Sequence, residues 1–184
     1  MALTSSNMLP LGTLATDFAL LDVISGNILH LSEQKSDKAT VIMFICNHCP
    51  FVKHIQKDLV KLANDYLSKG VSFIAISSND IASYPEDAPA KMKMEAEQHH
   101  YPFPYLYDET QEVAKAYQAA CTPDFYIFDK ALQLVYRGQM DDSRPSSHIP
   151  VTGHDLRNAL DVVLKGEKPD PNQKPSVGCN IKWK

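Results

Sequence analysis

The sequence predicts an α/β fold in which a central mixed sheet is flanked by helices, with an N-terminal β-hairpin extension and a C-terminal tail. Three observations carry this. Val41–Ile45 is a continuous apolar run rich in β-branched residues, as expected of a strand buried on both faces. A helical stripe of Phe51, Ile55, Leu59, Leu62 and Tyr66 separates it from a second apolar strand, Val71–Ser77, and strand–helix–strand implies a parallel, right-handed unit. Phe125–Phe128 and Leu132–Tyr136, joined by Asp129-Lys130, read as an antiparallel hairpin, which makes the sheet mixed.

The remaining elements follow in order. Between Gly12 and Leu31 two short strands are expected around the turn Ser25-Gly26-Asn27, with Phe18 and Leu20 on the first and Ile28, Leu29 and Leu31 on the second. The helix after the C-terminal end of the Val41 strand stops at Gly70. Glu86–His99 reads as a polar helix with Pro89 in its first turn, ended by Tyr101-Pro102-Phe103-Pro104. Tyr105–Tyr107 is a short extended piece, and Glu109–Ala120 a further helix with Val113, Ala116 and Tyr117 on one face. Asp155–Leu164 is the last helix, with Gly166 behind it. The expected organisation is one domain over residues 1–165, then a proline-rich linker and docked tail over 166–184.

Composition narrows the function classes. A chain of 184 residues, 44% hydrophobic and 22% charged, is an ordinary globular domain with room for a full core. A net charge of −4 gives no support for nucleic acid or an anionic membrane as partner. Met1–Ser5 shows neither a basic nor an apolar leader region, so the cytoplasm is the expected location. Four cysteines are too sparse for a disulfide scaffold and read as chemistry or packing.

Cys46-Asn47-His48-Cys49 sits between the buried strand and the helix that starts at Pro50. This is the sequence form of a dithiol redox centre. The thiolate is the nucleophile, and the unpaired N–H groups and positive dipole end of a helix N-terminus stabilise it. Two intervening residues place both sulfurs on one helical face, within bonding reach. Half of a zinc site or two core cysteines are the alternatives, and there is no second C-x-x-C to complete the zinc site. His99, His100 and His54 form no ligand set with the cysteines, so neither metal nor cofactor is expected.

The element order is that of the thioredoxin fold. The chain also resembles the thioredoxin-like redoxins, the branch that includes alkyl hydroperoxide reductase/thiol-specific antioxidant and thiol–disulfide oxidoreductase proteins. The resemblance is carried by Leu11-Gly12 through Asp17-Phe18-Ala19-Leu20, Cys46-Asn47-His48-Cys49-Pro50, Cys121-Thr122-Pro123-Asp124 and Tyr136-Arg137-Gly138-Gln139. It implies that Cys46 is the exposed nucleophile and Cys49 the more buried resolving thiol. It also implies a cis Pro123 facing the dithiol, with Thr122 offering backbone pairing to a substrate strand.

His48 is expected to modulate the neighbouring thiolate or else to face solvent on the first helical turn. Cys121, one residue from Thr122, reads as a packed thiol or an auxiliary one. Cys179, in Gly178-Cys179-Asn180, is either a third redox partner or part of a structural tail pinned by Ile181 and a buried Trp183. Arg144 in Asp141–Pro145 either attracts substrate oxygens or belongs to a solvated turn. Two features depart from relatives: Thr40–Ile45 contains no acid to deprotonate a resolving thiol, and Cys46 stands where peroxidatic redoxins carry a threonine three residues before their cysteine.

The leading expectation is therefore a thiol–disulfide oxidoreductase working through a mixed disulfide, with a protein disulfide or peroxide as substrate and a thiol as reductant. A thiol peroxidase, with Cys49 attacking peroxide, and a metal-binding or redox-sensing module are the alternatives.

Overall fold

The computed structural model describes residues 3–184. Its main sheet is built from β2 (Ala19–Asp22), β3 (Ile28–His30), β4 (Ala39–Phe44), β5 (Val71–Ser77), β6 (Tyr105–Tyr107), β8 (Asp124–Asp129) and β9 (Leu134–Gly138). A second sheet contains β1 (Leu3–Ser5), β7 (Cys121–Thr122) and β10 (Val177–Asn180). The helices are α1 (Leu31–Gln34), α2 (Pro50–Leu67), α3 (Pro89–Gln98), α4 (Glu112–Ala116) and α5 (His154–Leu164). The main sheet runs β3-β2-β6-β5-β4-β8-β9. β4 pairs parallel with β5 and antiparallel with β8, so the sheet is mixed and the fold is that of thioredoxin.

β4 is an interior strand between β5 and β8 and every one of its residues is buried, which is why its sequence lacks alternation. Val41 and Met43 pack with Ile55 and Leu59 of α2, Met92 of α3 and Leu160 of α5. Ile42 and Phe44 point the other way, into a cluster with Leu31, Ala114 and Tyr117. Alternate residues of one strand thus anchor both layers of helices. Among the described residues, no helix is long and apolar enough to cross a membrane.

The elements differ from expectation in places, each for a local reason. The polar helix is split into a 3-10 turn, Pro85–Asp87, and α3, because Ala88 is extended, as the residue before a proline prefers. The helix expected over Glu109–Ala120 shortens to α4, bracketed by left-handed Gln111 (φ 65°) and Gln118 (φ 51°). β9 starts at Leu134 rather than Leu132, whose φ is 57°. The Asp129 carboxylate accepts from the Ala131 and Gln133 amides and closes that turn. Phe18 lies just before β2.

The tail forms a strand the sequence pattern does not show. β10 pairs antiparallel with β1 on one side and β7 on the other. Cys179 within it and Ile181 just after it are buried, while Trp183 is 43% exposed, against the expectation of burial. Ile181 and the backbone do the docking: the Lys182 amide donates to Asn79 Oδ1 and the Lys184 amide to Gln111 Oε1. The Trp183 ring between those anchors stays partly outside.

Candidate active site

β4 delivers Cys46 at its C-terminal end, and Cys49 is the N-cap of α2, with Pro50 in the first turn, where a missing N–H costs nothing. Opposite them the Thr122–Pro123 bond is cis, as the resemblance implied. Thr122 reaches both sulfurs: its Oγ1 is 3.4 Å from Cys46 Sγ and its carbonyl oxygen 3.3 Å from Cys49 Sγ. Cys46 is 2% exposed and Cys49 fully buried. Both are covered, so Cys46 is not the exposed thiol the resemblance implied. The chain's own β10 places Cys179 across from Thr122 and Asn180 across from Cys121, on the edge where a substrate strand was expected to pair.

The negative charge of the pair settles on Cys49. Its thiol is pulled down to about 5 by the hydrogen bond from Cys46, against burial, with the Cys179 thiol and the Val52 amide adding to the pull. The same Cys46–Cys49 bond pushes Cys46 up, and burial and the Asp87 charge push it further. The Thr122 carbonyl accepts only from a protonated Cys49, so it works against the anion.

Asp87 is the residue the sequence reading missed. Fully buried, it accepts from the Asn47 amide (2.8 Å), the His48 amide (3.3 Å) and Asn79 Nδ2 (2.7 Å), and it meets His48 Nδ1 at 2.6 Å. It therefore holds the backbone of the C-x-x-C motif from outside it. Burial opposes its ionisation, yet the bonds from His48 and Asn79 keep it below the ordinary carboxylate range. His48 is only partly exposed: its ring stacks on Tyr84 at 5.1 Å, and its buried Nε2 has no hydrogen-bond partner among the described residues. Asn47 is fixed too, donating to the Glu86 carbonyl and accepting from the Tyr105 hydroxyl.

Cys46, His48 and Asp87 offer ligand atoms within 4.8 Å of one another, the one metal-like grouping among the described residues. The Asp87 oxygens are already committed to four donors, so the carboxylate serves as a strut for the motif.

Cys121 is fully buried and its thiol is pushed up by burial and by the nearby Asp124. Asp124 follows the cis proline and is itself completely buried. Its carboxyl is pushed up to about 7 by that burial, although it accepts from Ser6 Oγ and the Tyr126 hydroxyl. Arg144 is spent on its own loop, donating to the carbonyls of Asp141 and Ser143 and to Gln139 Oε1. It presents no fork to a substrate.

The chain is similar to an uncharacterized conserved protein from Geobacillus kaustophilus at 66% identity over 100% of this chain and 97% of that one, with a TM-score of 0.98. A hypothetical protein from Sinorhizobium meliloti is 49% identical over 98% of each chain, with a TM-score of 0.96. The thioredoxin domain of a thiol-disulfide oxidoreductase from Bacteroides vulgatus shares the fold at 16% identity, covering 83% of this chain and 99% of that one with a TM-score of 0.63. No curated protein matches the chain. The AhpC/TSA family model matches residues 11–137, a span that includes the dithiol, its helix, Asp87 and the cis proline. On that match the chain belongs to the AhpC/TSA family of thioredoxin-like redoxins.

Proposed function

We propose that this redoxin is a thiol–disulfide oxidoreductase that cycles Cys46 and Cys49 between dithiol and disulfide. The observation that carries the reading is that Cys46 and Cys49 meet the same residue at the strand–helix junction, Thr122 Oγ1 lying 3.4 Å from Cys46 Sγ and the Thr122 carbonyl oxygen 3.3 Å from Cys49 Sγ. Cys46 stands first in the motif, just past β4, and the Cys49 thiolate beside it receives its proton. Because the resting charge sits on Cys49, passing the Cys46 proton to Cys49 is uphill, and capture of the substrate disulfide by the Cys46 thiolate draws the step forward. Attack on a substrate disulfide forms a Cys46 mixed disulfide and expels one substrate thiolate, which takes the proton back from Cys49. Cys49 then attacks Cys46 Sγ, the Cys46–Cys49 bond forms, and the second substrate thiolate leaves. Two protein thiols are oxidised and one substrate disulfide is reduced; a small or protein thiol reductant resets the pair.

The test is a Cys49→Ser variant incubated with a disulfide-bonded protein such as insulin. The reading expects a trapped adduct through Cys46, visible by mass spectrometry, and loss of insulin reduction in both Cys46→Ser and Cys49→Ser.

One observation favours a second reading. The lowered thiol is Cys49, at the helix N-terminus, and hydrogen peroxide is small enough to reach a covered sulfur. In that reading Cys49 takes an oxygen to become a sulfenic acid, and a neighbouring thiol displaces water. Stopped-flow peroxide consumption that survives Cys46→Ser but not Cys49→Ser would select it.

A further inference from the structure

Cys49 has two sulfur neighbours. One is Cys46, within the motif. The other is Cys179, whose Sγ lies 2.7 Å from Cys49 Sγ although 130 residues separate them. That approach is built in by the tail. β10 is clamped between β1 and β7, and the Ile181 amide donates to the Ala120 carbonyl at 3.0 Å. The strand lies so close that a Cβ on Gly178 would stand 2.0 Å from the Thr122 carbonyl oxygen and 3.3 Å from Pro123 Cδ. Only glycine lets the backbone in at that point, and the next residue is then set against the dithiol.

We propose that Cys179 is a third redox residue, which exchanges with the Cys46–Cys49 disulfide to form a Cys49–Cys179 disulfide. The proposal rests on the dithiol reading above, since that cycle supplies the starting disulfide. The deprotonated Cys179 sulfur attacks Cys49 Sγ; the Cys49–Cys179 bond forms as the Cys46–Cys49 bond breaks. The electron pair leaves on Cys46, which takes up the proton given up by Cys179. One thiol and one disulfide go in and one of each come out, so no further oxidant is needed. The reverse exchange, by Cys46 on the same sulfur, returns the motif disulfide.

The surroundings suit such an exchange. Burial pushes the Cys179 thiol up to about 12, and the Cys49 thiolate beside it adds to that rise. Oxidation of Cys49 removes the second cause, while the Lys182 ammonium continues to favour the Cys179 anion. The product also ties β10 covalently over Thr122, so the edge beside the cis proline is locked shut in that state and open to displacement only after reduction or back-exchange.

The deciding experiment treats reduced full-length protein with one equivalent of diamide, quenches in acid, alkylates, and maps linked peptides by mass spectrometry. The wild type is expected to yield both Cys46–Cys49 and Cys49–Cys179 peptides. Cys46→Ser is expected to close Cys49–Cys179 within the monomer. Absence of the Cys49–Cys179 bond from the wild type, or from a Cys46→Ser variant whose circular dichroism matches the wild type, overturns the proposal. The dithiol reading is judged separately, on Cys179→Ser, which must still close Cys46–Cys49.

Discussion

His48 Nδ1 and Asp87 Oδ2 lie 2.6 Å apart, and this contact ties the C-x-x-C motif to a residue 39 positions away. Asp87 also receives the Asn47 and His48 amides and the Asn79 side chain, so one buried carboxylate sets the motif backbone. Removing it strands four donors. We expect Asp87→Ala to cost at least the roughly 1–3 kcal/mol of leaving a buried donor unsatisfied, with Asp87→Asn costing less because its carbonyl oxygen still accepts. Urea unfolding of the reduced proteins checks this. The carboxyl is held below its ordinary range, so its stabilisation is complete above the unfolded carboxylate value and is lost as pH falls through the folded one. Acid sensitivity in that window should shrink in Asp87→Asn.

Cys49 should carry the thiolate. The reduced protein is expected to show a thiolate absorbance near 240 nm that appears with a midpoint of about 5 and vanishes in Cys49→Ser. Ionised in the folded state and protonated in the unfolded state between that value and the ordinary thiol value of 9.0, Cys49 stabilises the reduced fold increasingly as pH rises across the interval. Oxidised protein has no such thiol, so the reduced-minus-oxidised difference in thermal midpoint should climb with pH. An absorbance step retained by Cys49→Ser and lost in Cys46→Ser would assign the charge to the wrong sulfur.

Asp124 acts in the opposite sense. Its folded carboxyl is pushed up to about 7, above the ordinary aspartate value of 3.8, so the unfolded chain ionises first and stability falls as pH rises from about 4 to about 7. Asn at this position can accept from Ser6 and donate towards Tyr126 without becoming charged. The thermal midpoint of Asp124→Asn relative to wild type should therefore rise across that window. A flat difference would show that Asp124 ionises alike in both states.

Gly178→Ala should dislodge the tail, because its Cβ would stand 2.7 Å from the Thr122 carbonyl carbon as well as against the oxygen. The expected loss is at least the roughly 1.5–3 kcal/mol that burying one aliphatic side chain such as Ile181 contributes. Hydrogen exchange read by mass spectrometry should show residues 177–182 losing protection while β4 keeps its own. Unchanged protection in the tail would mean that Thr122 and β10 can move apart without undocking.

Local patterns made much of this protein legible before its fold was known. The unbroken apolar run of β4, the α2 stripe and the C-x-x-C between them depend only on neighbours in the chain, and periodicity reports such neighbours directly. The strand–helix–strand unit, the hairpin and the position of Pro123 follow for the same reason, with resemblance supplying the cis peptide. Asp87 was not legible: it looked like one acid among others in a polar helix, and only the fold brings it under Asn47 and His48. Asp124 carries no sequence signal of its own, and its raised carboxyl comes from burial beside Ser6 and Tyr126. The tail shows the division most clearly. Its glycine, cysteine and apolar residues announced that it docks, but composition cannot specify a partner strand. Pairing with β1 and β7, which puts Cys179 against Cys49 and leaves Trp183 partly outside, is a choice among long-range contacts. Such contacts are decided by which buried surfaces and backbone edges remain unsatisfied once the rest of the chain has folded.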